Sequence, residues 1–184
     1  MNVRLERVIV VETSCCGKTA FSKRLSGILQ QPHIELDALY WGPNWEPKPA
    51  DEFRRLVDHA TSGDRWIVDG NYSVIRNLIW PKGTTVIWLN YSFITVIRRA
   101  LIRTFRRSLS AQELYAGNRE SLGRAFFSRE SIVWWTVSTF TRRQKSYREM
   151  RQRRSFPQLE WIELKRPAEA ERLLRELADH PTSR

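Results

Sequence analysis

Three observations predict an α/β protein of the three-layer α/β/α type, with a five-stranded parallel sheet at its centre. Short apolar runs of strand length alternate with segments of helical periodicity along the whole chain. A stretch close to a phosphate-binding loop, Glu12-Thr13-Ser14-Cys15-Cys16-Gly17-Lys18-Thr19, sits directly after the first apolar run and before a helical pattern. A length of 184 residues is enough to cover one sheet with helices and matches a single domain, 1–184.

The first strand is expected over Leu5–Val11, and the helix after the loop over Thr19–Gln31, where Phe21, Leu25 and Ile28 recur at helical spacing. A second strand, His33-Ile34-Glu35-Leu36, ends at Asp37, and the proline-punctuated segment 42–49 is a loop. Asp51 is placed to cap a helix over Glu52–Thr61, whose Phe53, Leu56, Val57 and Ala60 share one face. Ser62-Gly63-Asp64 turns into a third strand, Arg65–Asp69. A short helix near Val74–Ile79 stops at Pro81, and Thr84–Asn90 is the fourth strand. Long helices are expected at about Phe93–Ser108 and Ser131–Arg151, separated by a polar stretch with Gly117 and Gly123 that suits a cover over the site. The fifth strand, Trp161–Leu164, leads to Pro167 at the start of a last helix ending near Ala178.

Hydrophobic content of 41% and charged content of 28% describe a soluble globular chain. No apolar stretch reaches the ~20 residues of a membrane span, and the run at Val8–Val11 is too short for a signal peptide, so a cytoplasmic location is expected. The cysteines, Cys15 and Cys16, are adjacent; they build no disulfide framework and suit a reducing compartment. A net charge of +11 concentrates at Arg98, Arg99, Arg103, Arg106 and Arg107, and again between Arg142 and Arg154. Such surfaces attract nucleic acid or gather small anions, and arginine also clamps transferring phosphates in a bidentate fork.

The loop carries the chemistry. Backbone N–H groups from Thr13, Ser14, Cys15, Cys16 and Gly17, with the helix N-terminus, are placed to cradle phosphate oxygens. Lys18 would reach the β/γ oxygens of ATP and the Thr19 hydroxyl would ligate Mg²⁺. Against this, Glu12 replaces the motif's first glycine, and a carboxylate at the mouth of an anion nest repels phosphate by ~1–4 kcal/mol at ~4 Å. Ligands of parallel sheets collect beyond the carboxyl ends of the strands, where Asp37 and Asp69 lie. Asp69 is a candidate to order the water shell of Mg²⁺ and Asp37 to accept a proton from an acceptor hydroxyl; capping a turn is the alternative use of each. Arg99 and Arg103, four residues apart, share a helix face and can neutralise a transferring phosphate if that face meets the loop. Trp41 or Trp45 would wall an acceptor pocket suited to a planar or sugar-like ligand.

Taken together, ETSCCGKTAFSKRL, HIELDALYWGPNW, RWIVDGNYS, VIWLNYS with Arg99 and Arg103, and the Ser128-Arg129-Glu130-Ser131 segment resemble the adenylate kinase-like P-loop proteins of the bacterial topology modulation protein family. The resemblance runs in order along nearly the whole chain. It implies a P-loop nucleoside/nucleotide kinase-like fold with strand order 2-3-1-4-5, ATP and Mg²⁺ as cofactors, and a helical lid at about 108–129. The usual loop of that family, G-T-S-G-S-G-K-T, is changed here at Glu12, Cys15 and Cys16. The D-G-F-P-R signature of true adenylate kinases is missing, so AMP is not the expected acceptor. Three functions follow as expectations: phosphoryl transfer to a small hydroxyl- or phosphate-bearing acceptor, nucleic-acid-associated regulation (DNA topology modulation) on a degenerate, weakly or non-catalytic P-loop scaffold, or a degenerate, non-hydrolysing nucleotide-fold protein.

Overall fold

The computed structural model describes residues 3–12, 16–110, 116 and 132–179, and for 103–110 and 132–136 the backbone alone. Five parallel strands form one sheet: β1 (Arg7–Glu12), β2 (His33–Glu35), β3 (Trp66–Asp69), β4 (Thr85–Leu89) and β5 (Glu160–Leu164). Their order is β2-β3-β1-β4-β5, the order expected from the resemblance. β1 is central, with Val10 in register with Asp69 of β3 and with Ile87 of β4.

The strands are apolar on both faces because both faces are covered. Val8 and Val10 pack with Phe21, Leu25 and Leu29 of α1 (Lys18–Leu29) and with Leu173 and Leu174 of the C-terminal helix Pro167–Asp179. Ile9 and Val11 face the other way and meet Phe53 and Val57 of the helix Ala50–Ala60, together with Trp66, Val68, Val86 and Trp88. In chain order the remaining helices are α2 (Leu36–Tyr40), α3 (Ala50–Ala60), α4 (Arg76–Ile79), α5 (Phe93–Ser110), α6 (Ile132–Gln152) and α7 (Pro167–Asp179), with 3₁₀ turns at Pro43–Trp45 and Ser73–Ile75.

Several expected boundaries move. Leu36 is the first residue of α2 rather than the last of β2, so Asp37 sits in the first turn of a helix. Asp51 lies inside the first turn of α3, whose capping position is Pro49; the proline supplies the extended backbone, and Asp51 faces the helix dipole from within. Val74 and Ile75, the first two residues of the helix expected at Val74–Ile79, belong instead to the 3₁₀ turn Ser73–Ile75. Beyond Ser110 and apart from Ala116, the lid expected at about 108–129 lies outside the described residues.

Gly70, immediately after β3, has φ +149°, and a Cβ there would sit 2.6 Å from Leu36 Cδ1 and 2.7 Å from Leu36 Cβ. Both the backbone and the space therefore demand glycine where β3 hands over to the site. Gly70→Ala is expected to lower unfolding stability by about 2–4 kcal/mol in denaturant titration. Gly27→Ala, in α1 with nothing within 4 Å of the new methyl group, should instead stabilise by up to about 1 kcal/mol. Equal effects at the two positions would remove the steric argument.

Candidate active site

The site is assembled at the carboxyl ends of β1, β2 and β3. Gly17 takes φ 88° in the left-handed region and starts α1, so the chain turns from loop to helix at a residue without a Cβ. A methyl group on Gly17 would come within 3.1 Å of a guanidinium nitrogen of Arg99. Lys18 is the first residue of α1, and its ammonium is directed inward onto Asp69, with Nζ 3.1 Å from Oδ1 and side chains 8% and 0% exposed. The other Asp69 oxygen, Oδ2, accepts a hydrogen bond from His33 Nε2 at 2.9 Å. Burial by itself would lower the Lys18 pKa, but the charges of Asp69, Glu12 and Asp37, with the Asp69 hydrogen bond, raise it above the ordinary value. Burial by itself would raise Asp69; the His33 hydrogen bond and the charges of Lys18 and His33 hold it below the usual carboxylate range.

Glu35, in register with Asp69 across β2 and β3, accepts a hydrogen bond from the Thr19 hydroxyl at 3.2 Å. Lys23 Nζ lies 3.9 Å from its other oxygen. Thr19, Glu35 and Asp69 carry oxygen atoms of the kind that hard divalent cations take, although both Asp69 oxygens are bonded here to Lys18 and His33. Among the described residues no group of three or more His, Cys, Asp or Glu can hold a metal ion by itself.

Glu12 is the departure from the motif, and its side chain turns back into the loop. The Cys16 backbone N–H donates to Glu12 Oε2 at 2.8 Å, and Glu12 is 8% exposed. A loop amide expected to face a phosphate oxygen is thus taken by a carboxylate of the same chain. Asn71 fixes the base of this turn: its amide donates to the Glu12 carbonyl at 2.9 Å, and its carbonyl oxygen accepts from the Tyr147 hydroxyl of α6 at 3.0 Å. Arg99 of α5 donates to the Cys16 carbonyl and lies over the Tyr91 ring, its guanidinium carbon 5.4 Å from the centroid. α5 therefore brings Arg99 against the loop. The side chain of Arg103, and all of Thr13, Ser14 and Cys15, lie outside the described residues. Cys16 is buried at 1% exposure, without the access that thiol reactivity requires.

Asp37 accepts a hydrogen bond from the Tyr72 hydroxyl at 2.7 Å. Tyr72 belongs to an aromatic cluster: its ring centroid is 4.5 Å from that of Tyr40, Tyr40 meets Trp41 edge to face at 4.8 Å, and Trp41 meets Trp45 in the same way at 5.7 Å. The loop carrying the tryptophans is pinned by the Trp41–Pro47 bridge and holds Asn44 and Trp45 at φ 57° and 59°, a conformation that non-glycine residues adopt at a cost.

Lys18, Thr19, Asp69 and Arg99 are thus gathered around one loop, and Asp37 stands at the edge of the aromatic cluster. Glu35, His33, Asn71 and Tyr147 had no role assigned from sequence. Glu35 was visible as a carboxylate closing a strand next to that of Asp69; the contacts of Asn71 and Tyr147 join residues 76 positions apart, which no local pattern encodes.

No protein-family model matches the chain, and no curated protein matches it in sequence. Solved structures do match in shape. A gluconokinase from Sinorhizobium meliloti 1021 is similar with TM-score 0.54 and 16% identity, over 98% of this chain and 97% of that one. The shikimate kinase from Bacteroides thetaiotaomicron is similar with TM-score 0.55 and 14% identity, over 95% of this chain and 97% of that one. The fold is that of small P-loop kinases. At these identities the likeness speaks for the fold alone. No helix among the described residues is long and apolar enough to cross a membrane.

The paired ionisation of Lys18 and Asp69 has a pH signature. Because the Asp69 pKa is depressed on folding, its contribution to stability is complete above the unfolded-chain value of ~3.9 and lost as pH falls through the lower folded value. The raised Lys18 contributes below its unfolded value of ~10.4 and is lost only above it. Urea unfolding should therefore show an acid-limb loss that Asp69→Asn flattens, with no such change between pH 6 and 9. Asp69→Ala, which leaves the buried ammonium unpaired, is expected to cost about 3–5 kcal/mol at neutral pH. A stability curve for Asp69→Asn parallel to the parent down to pH 2 would show that the pair contributes nothing.

Proposed function

We propose that the protein binds ATP·Mg²⁺ at the loop preceding α1 and transfers phosphate to a small hydroxyl- or phosphate-bearing acceptor. The observation that carries this reading is the placement of Lys18: it opens a helix behind a left-handed glycine, with its ammonium held over the carboxyl edge of the sheet by Asp69. A buried, raised-pKa lysine at a helix N-terminus is a fixed positive charge where an anion would arrive. The likeness of the sequence motifs to the topology modulation proteins supports the same reading, as does a fold shared with two kinases of small molecules.

In this scheme Gly17, Lys18 and the loop amides bind phosphate, and Lys18 exchanges its bond to Asp69 for one to a phosphate oxygen. Thr19, Glu35 and Asp69 would hold Mg²⁺, which neutralises charge on the phosphates. Arg99 supports the loop from the α5 side and supplies positive charge for the transferred group, with Arg103 assigned the same role from its spacing. Asp37 positions the acceptor hydroxyl, its carboxylate aligned by Tyr72, and Trp41 and Trp45 form a face for a ring-shaped acceptor. Phosphoryl transfer asks of the protein little beyond such positioning and charge neutralisation.

Calorimetric titration with ATP·Mg²⁺, followed by an ADP-release assay over a panel of small polyols and hydroxy acids, tests the proposal. Lys18→Ala should abolish nucleotide binding; an unchanged dissociation constant in that variant removes the kinase reading.

Glu12 lowers affinity in this scheme, since its carboxylate holds the Cys16 amide. Glu12→Gly and Glu12→Gln should each tighten ATP·Mg²⁺ binding about tenfold, equivalent to ~1.4 kcal/mol, and part of the gain should survive in high salt because a buried charge is poorly screened. Equal or weaker affinity in both variants would mean that Glu12 is accommodated alongside the phosphates.

A further inference from the structure

At the amino-terminal edge of the sheet, opposite the loop, lies a cavity of about 340 Å³ lined by Arg4, Arg7, Asp64, Lys82, Thr84 and Gln158, among others. Arg7 opens β1 and Glu12 closes it, so the two ends are separated by roughly 16 Å at about 3.3 Å per residue. The cavity therefore belongs to a different place from the candidate active site.

Its charge is uneven. Arg4, Arg7 and Lys82 contribute three cations against the single carboxylate of Asp64. Of the two outer cations, Arg4 pairs with Glu160 at 3.4 Å and donates to the Gln158 carbonyl at 3.3 Å, and Lys82 pairs with Asp58 at 2.7 Å. Such pairs contribute little and yield readily to a better anion. Arg7 is different. Its backbone is tied into the sheet edge, the N–H donating to Thr84 Oγ1 at 3.1 Å, while its side-chain Nε is buried with no hydrogen-bond partner among the described residues. A buried donor of a charged group left unpaired carries a desolvation cost. The guanidinium fork suits the planar edge of a carboxylate or two oxygens of a phosphate.

We propose that this cavity is a second binding site, for a small polyanion bearing phosphate or carboxylate groups, with Arg7 as the central ligand and Lys82 and Arg4 closing over it. Its volume exceeds that of one phosphate ion, so the ligand has a body beyond a single oxyanion. Lying at the opposite end of the strands from Lys18, it receives an effector rather than a reactant.

The test is a titration of the full chain with inorganic phosphate and separately with citrate, at constant ionic strength, followed by amide chemical shifts. Saturable shifts at residues 61–64 and 82–84 are expected, separate from any at residues 16–19. They should be lost in Arg7→Gln and require roughly tenfold more ligand in Lys82→Gln. The stronger of the two probes identifies phosphate or carboxylate as the preferred group. Absent or non-saturating shifts at 61–64 and 82–84, or affinity unchanged in Arg7→Gln, would overturn the proposal. Should Arg7→Gln fail to fold, unchanged affinity in the Lys82→Gln variant, at a half-buried position, overturns it equally. Failure here leaves the reading of the loop untouched, since that rests on shifts and binding at residues 16–19.

Discussion

An ammonium group with 8% of its side chain exposed cannot remain charged in a protein interior without a partner, and a fully buried carboxylate needs more than one. Lys18 and Asp69 answer each other's requirement, and His33 completes it on the second oxygen. The arrangement depends on topology. Only a sheet that places β3 beside β1 brings Asp69, 51 residues along the chain, under the first turn of α1. It depends also on Gly70, since a side chain there would drive into Leu36 and displace the end of β3 that presents Asp69. The fold and the site are in this sense one constraint: the strand order holds the ion pair, and breaking the pair leaves a charge stranded in the core.

How far the site was legible in the sequence follows from the range of each signal. Gly17-Lys18-Thr19 after an apolar run is a local pattern, and the described part of the loop falls where that pattern put it. The strands were legible as continuous apolar runs because both faces of a parallel sheet are covered; their ends were not, because Leu36 is as apolar as a strand residue and begins a helix. The roles of Glu35 and His33 needed the register of β2 on β3, which sets Glu35 opposite Asp69. The network through Asn71 and Tyr147 is wholly tertiary. Periodicity can say that Tyr147 lies on a buried face, but not that its hydroxyl reaches across the sheet.

The basicity of the chain divides along similar lines. Some of the arginines and lysines of α6 and α7 are balanced locally: Arg151 by Glu163 at 2.9 Å, Lys145 by Glu149 at 3.9 Å, Arg172 by Glu176 at 2.7 Å. Others have specific structural work: Arg99 holds the loop carbonyl of Cys16, and Arg76 lies over Trp80 with its guanidinium carbon 5.5 Å from the ring centroid. A net charge of +11 is therefore not one uniform surface. It is a set of separate environments, two of which face the two ends of the sheet.

Glu12 belongs to this pattern as the local exception, and its position is not left to chance. Its backbone is held on the carbonyl side by the Asn71 amide, and Asn71 is held by Tyr147, a phenol whose pKa burial raises so that it stays a hydrogen-bond donor at all physiological pH values. With the main chain fixed, the side chain takes the Cys16 N–H at 2.8 Å. The same N–H is among the groups that a nest of this type turns toward an anion. A carboxylate covalently attached at that point is present at every moment, whereas a phosphate must arrive from solution and bring enough additional contacts to displace it. ATP·Mg²⁺ would bring such contacts at Lys18, Thr19 and the helix N-terminus; inorganic phosphate would bring few of them. In the proposed reading Glu12 would therefore discriminate by size of the anion as well as lower affinity for all of them, since only a ligand that engages the remainder of the cradle would recover the loss of the Glu12–Cys16 bond.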